Sequence, residues 1–397
     1  MWCESLFKGY VRYWLPAALV LLLTGMFWVG ERSLYHKLYY LSFALPTLIV
    51  ALVCWRRFLF LRQAPLFWLF VAFSAYVALS LAWYSGNVDY SKLKHPLYIC
   101  MLLLGVAALG DVDMRRLVHS VGLAGAVAAL AALISIVAYL WGDSRHPRLE
   151  GYGALYNPLL TSHVYGFFAA LWLGALMSSA KQWPLKLMML VPLVLLLFLT
   201  GSRTPFMALF ACFIWLLVMV ADRRGLWLVL ALAGIGATGV WFFGADLLDR
   251  GLSYRPFIWA ETWKQIMPVL WLGHGYGTGI DIVLPDGADT LLADPHNLTL
   301  GVIYQTGLVG GALWLTLYVY SLLSAWRMRG SGLVLISSTL LVYGFVAGMT
   351  EGGSFMSRPK EHWFLIWIPI AIHLAVLCKA SNTRKATAAA PEVTSGA

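Results

Sequence analysis

The chain of 397 residues is 61% apolar and only 12% charged, with a mean hydropathy of +0.76 and a formal net charge of +10. A soluble domain carries about 25% charged residues, so the composition excludes one and places most of the length in hydrocarbon. An apolar run of about 20 residues spans a bilayer core as a helix, and these runs lack the alternation of a barrel strand.

In chain order the length rule predicts about twelve spans: 14–30, 38–55, 65–83, 96–110, 117–141, 163–180, 184–200, 204–221, 226–243, 298–325, 332–349 and 362–379. The expected fold is therefore an all-α integral membrane protein, a polytopic bundle over residues 1–379. A large outer loop at 244–297 is expected to contain short helices, and a polar tail at 380–397 reads as disordered. Residues 1–30 have a basic start but no small-residue cleavage site, and read as an uncleaved first span.

Lys and Arg set the orientation. With the N-terminus inside, 16 of the 28 basic residues fall in short inner connections: Lys8 and Arg12, Arg56, Arg57 and Arg62, Arg115 and Arg116, Lys181 and Lys186, Arg223 and Arg224, Arg327 and Arg329, Lys379, Arg384 and Lys385. Both termini are then expected in the cytoplasm. The other 12 basic residues face outward together with 13 of the 18 acidic ones, which can neutralise them. Arg203 is set apart by having no acidic neighbour in sequence.

Several short polar islands fall on this outer side. Gly201-Ser202-Arg203-Thr204-Pro205 lies between two apolar runs and opens the second, whose N-terminal amides favour an anion. Arg203 is a site candidate because a charge beside hydrocarbon is costly; the bland alternative is snorkelling to headgroups. Tyr254-Arg255-Pro256 opens a predicted amphipathic helix over 255–268, with Trp259 and Trp263 on one face. The planar fork of Arg255 suits a phosphate, although Asp249 or Glu261 can instead pair with it. Asp294-Pro295-His296-Asn297 precedes a span, and His296 is either a general base with a carboxylate partner or a helix-start cap. The segment 351–362 adds Arg358 and Lys360 as possible extensions of a phosphate surface, and Glu351 as a partner for an arginine; a solvated loop is the alternative for Lys360 and Glu361.

Other features carry less. Gly273-His-Gly-Tyr-Gly-Thr-Gly279 reads as a turn-rich hinge; no βαβ unit surrounds it, so no nucleotide site is assigned. His163, His274 and His362 lack a distinctive setting. Cys3, Cys54, Cys100, Cys212 and Cys378 have no metal spacing and no outer pair, so neither a metal site nor a disulfide is expected.

Taken together, the Gly201–Pro205 motif, Arg255 followed by Trp259, Pro268 and Gly273-His-Gly-Tyr-Gly, and Pro295-His296-Asn297 after the large loop resemble the O-antigen ligase family and its O-antigen polymerase relatives. The specific part of the match is 200–310. The resemblance implies a glycosyltransferase of the Gram-negative inner membrane with its active site facing the periplasm. Such a ligase takes a polysaccharide from undecaprenyl diphosphate to a sugar hydroxyl of lipid A–core, with no metal, cofactor or nucleic acid. It implies that Arg203 and Arg255 hold the diphosphate and that His296 activates the acceptor. Asn297, Arg358 and Lys360 are expected beside the substrate from their positions in the polar islands.

An O-antigen polymerase uses the same donor and remains open. A protein-directed oligosaccharyltransferase would tend to carry a further soluble domain. A transporter is disfavoured by the lack of an evident repeat and by few mid-span ionisable residues. The sequence leaves oligomeric state open.

Overall fold

A computed structural model describes residues 2–84, 89–142, 148–220, 254–284 and 291–389. Along them run α1 (Cys3–Phe27), α2 (Arg32–Val53), α3 (Pro65–Trp83), α4 (Tyr90–Trp141), α5 (Pro158–Ser178), α6 (Trp183–Leu199), α7 (Thr204–Val220), α8 (Arg255–Ile266), α9 (Leu298–Arg327), α10 (Gly332–Gly348) and α11 (His362–Asn382). Among the described residues, seven of these are long and apolar enough to cross a membrane, and α6, α7 and α10 are shorter apolar helices. The predicted span 226–243 lies outside the described residues, as do parts of the 244–297 loop.

Helix α4 contains two of the predicted spans. Unbroken, its 52 residues would run about 78 Å at 1.5 Å per residue, over twice the hydrocarbon thickness. Asp113 leaves helical geometry (φ −147°, ψ 85°) and divides it. Its carboxylate then starts the second half by accepting from the Arg116 N–H and Nε, both at 3.1 Å.

Prolines shape α1 and α2 in the same way. Each helix widens into a π-turn, at Tyr10–Trp14 and Tyr40–Ala44, just before Leu15-Pro16 and Leu45-Pro46. A proline ring presses on the carbonyl four residues back and leaves it without its usual donor. Both orphaned carbonyls find another. The Arg12 carbonyl accepts from the Arg116 guanidinium, and that of Ser42 accepts from Trp14 Nε1 at 2.7 Å.

The break in α9 is the one that bears on the site. Gly307 (φ 65°, ψ −169°) interrupts the helix, and the 269–275 strand of chain repairs the broken ladder. His274 and Gly275 N–H donate to the Tyr304 and Gln305 carbonyls at 2.9 and 2.8 Å, while Leu308 and Val309 N–H donate to Leu270 and Trp271 at 2.8 and 3.3 Å. The glycine-rich segment is thus pinned to α9 and is no hinge: added Cβ atoms at Gly273 and Gly307 would overlap the backbone of the opposite segment. Gly307→Ala is expected to cost about 1–3 kcal/mol through this overlap and the positive φ, read as a lower thermal midpoint of the detergent-solubilised protein.

Helix α8 packs on the first part of α9 through Ile258, Thr262 and Ile266, one buried stripe at i, i+4 and i+8. Trp259 and Trp263, expected on one face as in a helix lying in a membrane interface, are outside this stripe: Trp263 is exposed and Trp259 half-buried. Ile282–Val283 and Leu291–Leu292 pair as a two-residue antiparallel ladder beside it.

Two further expectations are corrected. Cys3 and Cys54 form a disulfide, because α1 and α2 bring residues 51 apart in sequence to a Cα separation of 5.8 Å. Helical geometry in α11 continues beyond Asn382, in a stretch running from Trp367 to Ala389 that takes in residues 380–389 of the tail expected to be disordered; residues 390–397 lie outside the described residues. Its Ala, Lys and Arg residues are strong helix formers.

Candidate active site

Three loop segments carry the predicted residues, and each is fixed by its own backbone chemistry. The turn between α6 and α7 is tied down by Arg148, whose Nε donates to the Thr200 carbonyl at 2.7 Å. Arg203 projects from this turn, exposed and without an ion pair among the described residues. The next side chain, Thr204, starts α7 and shares a 3.0 Å hydrogen bond with Thr350 at the end of α10.

Arg255 is the first residue of α8, with Pro256 behind it in the first turn. Its guanidinium pairs with Glu351, the residue that follows Thr350.

His296 sits at φ 47°, a left-handed conformation unusual for a side chain of its size. Two local bonds hold it there. Asp294 Oδ1 accepts its backbone N–H at 2.8 Å, and Asn297 Oδ1 caps α9 by accepting from Leu300 N–H at 3.0 Å. The imidazole Nδ1 then lies 3.7 Å from the second Glu351 oxygen.

Thr350-Glu351 is therefore the junction of the site. Thr350 holds the Arg203 turn, and Glu351 takes Arg255 on one oxygen and His296 near the other. Glu351 is buried, at 5% exposure. Burial alone would raise its carboxyl, but His296, His163 and Arg255 outweigh that and hold it below the ordinary value. The Glu351 carboxylate raises the His296 imidazole above its usual value against the opposing effect of burial, and Asp294 adds to the rise. Asp294 itself is pushed up by burial.

The remaining predicted residues separate. Asn297 is buried and spends its side chain on the α9 cap, so it shapes the loop rather than facing open space. Arg358 is exposed. Lys360 is half-buried near Glu361 and Asp294, and desolvation lowers its pKa. Glu361 is no solvated loop residue: it is 2% exposed and lies 3.4 Å from Arg32, whose guanidinium stacks over Tyr156. His163 is buried with its ring 6.3 Å from that of His362. Neither histidine stood out in sequence, since only the packing of α5 against the start of α11 brings them together.

The fold and this junction define a class: a multi-pass α-helical membrane protein with a cluster of arginine, carboxylate and imidazole built on the loops at one end of its bundle. The O-antigen ligase family profile matches residues 188–315, which contain the Arg203 turn, Arg255 and His296. Over 370 residues the chain is 46% identical to an O-antigen ligase of Pseudomonas aeruginosa strain PAO1, covering 92% of this chain and 91% of that protein. The chain belongs to the O-antigen ligase family.

Proposed function

We propose that the protein is an inverting glycosyltransferase that moves O-antigen polysaccharide from undecaprenyl diphosphate to a sugar hydroxyl of lipid A–core, at the periplasmic face of the inner membrane. The observation that supports this best is the Glu351 junction, where a base with a raised pKa and a fixed guanidinium share one buried carboxylate.

In this reading His296 Nε2 takes the acceptor hydroxyl proton as the oxygen attacks the anomeric carbon. Glu351 holds Nδ1, fixing the ring and stabilising the imidazolium that forms. The bond from the anomeric carbon to the diphosphate oxygen breaks, and its electron pair leaves with the diphosphate. Arg255 and Arg203 supply fixed positive charge where that negative charge develops. Attack opposite the leaving group inverts the anomeric centre. Arg203, exposed and without an ion pair among the described residues, is placed to take a diphosphate oxygen pair with its planar fork.

Arg203→Lys keeps the charge and loses the fork. Transfer is expected to fall about tenfold, in line with loss of one charge-assisted hydrogen bond; full activity of the purified variant would remove bidentate contact from the reading. A deletion strain separates ligase from polymerase. Loss of a ligase leaves lipid A–core bare, whereas loss of a polymerase leaves core carrying one repeat unit.

A further inference from the structure

The Asp294-Pro295 loop also borders a cavity. With the 353–357 segment and the glycine-rich turn it closes this cavity of about 310 Å³, whose walls include Lys92, His95, Tyr276, Asp294, Tyr304 and Gln305. That volume is at the small end for a ligand pocket, and neither Arg255 nor His296 lines it.

Its polar groups are set in defined hydrogen-bonding states. Tyr276 Oη has one proton and gives it to the Met356 carbonyl at 2.9 Å. The 2.8 Å contact between Tyr276 Oη and His95 Nδ1 therefore needs the imidazole to donate. The neutral ring is then protonated on Nδ1, and Nε2 is an acceptor with no partner among the described residues. Gln305 Oε1 accepts from Gly277 N–H at 2.9 Å, which leaves the amide NH₂ as a donor. Asp294 spends one oxygen on His296 N–H and keeps the other. Lys92 is anchored by donating to the Gly277 carbonyl at 2.9 Å, and it forms no ion pair among the described residues. Phe355 is a further wall residue beside Tyr276 and Tyr304.

Acceptors, donors and aromatic side chains in one small cavity suit a sugar, and the Lys92 ammonium suits an anionic substituent on it. The cavity shares Asp294 with the loop that positions the proposed base, the group that in the ligase reading meets the acceptor. We propose that it binds a sugar of the acceptor glycan next to the one that reacts, with a phosphoryl or carboxylate group on Lys92. The proposal rests on the ligase reading.

The test measures both transfer and binding. With the detergent-solubilised full chain, Lys92→Met and His95→Gln are expected to raise the KM for lipid A–core about tenfold each, while the KM for the polyprenyl-diphosphate donor stays within about twofold. Binding of deacylated core oligosaccharide, followed by intrinsic tryptophan fluorescence, should weaken by the same factor. Removing the phosphates from that oligosaccharide should weaken binding to the wild type and leave Lys92→Met unaffected, and Lys92→Arg should restore it. An unchanged acceptor KM and affinity, or an increase confined to the donor, overturns the proposal. If the wild-type protein transfers no glycan, the ligase reading fails, and the core-oligosaccharide titration still decides the cavity.

Discussion

Replacing His296 is expected to lower glycan transfer by about 10²- to 10⁴-fold, the usual contribution of a positioned general base. His296→Asn is the better variant, because asparagine tolerates the left-handed φ of 47° that alanine resists. It keeps the loop conformation and removes the imidazole. The expected result is an inserted protein of unchanged thermal midpoint whose host makes lipopolysaccharide without O-antigen. Normal O-antigen display in both His296→Asn and His296→Ala would end the case for this residue as the base. The wild-type enzyme should also lose activity on acidification with an apparent pKa above 6.5, the ordinary imidazole value, since Glu351 raises His296.

How far the sequence anticipated this site depends on what each residue needed. Helix positions follow from local composition: an apolar run of sufficient length has no other way to lie in lipid, so the predicted 65–83 and 204–221 recur as Pro65–Trp83 and Thr204–Val220. The division of α4 was legible too, because Arg115 and Arg116 interrupt the run close to Asp113. The break at Gly307 was not. Its run reads as one continuous span, and the groups that repair the ladder come from 269–275, outside any local window. Arg203, Arg255 and His296 were found because each stands beside an apolar run on the expected outer side. The partner of Arg255 was expected among Asp249 and Glu261 or, less specifically, at Glu351; the pairing with Glu351 spans 96 residues and depends on where α8 begins and α10 ends. The same limit hid the Cys3–Cys54 bond and the burial of His163 and Glu361.

Arg255→Ala is expected to lower kcat by about 10²- to 10³-fold, the loss typical of removing one preorganised donor from a developing negative charge. The more discriminating consequence is in the pH profile. The Arg255 guanidinium opposes protonation of His296, so its removal should raise the imidazole pKa further and move the acid limb to higher pH. Glu351→Gln should do the reverse: without the carboxylate the imidazole loses its main source of elevation, and the limb moves to lower pH. Its plateau rate should also fall, because His296 is no longer held on Nδ1 and Arg255 loses its buried partner. A residue that served only to fold the loops would move the plateau and leave the limb in place. Opposite displacements from Arg255→Ala and Glu351→Gln, measured on one purified preparation against one donor, would therefore tie both residues electrostatically to the titrating base. Displacement in the same direction, or none, would break the link between the Glu351 junction and proton transfer.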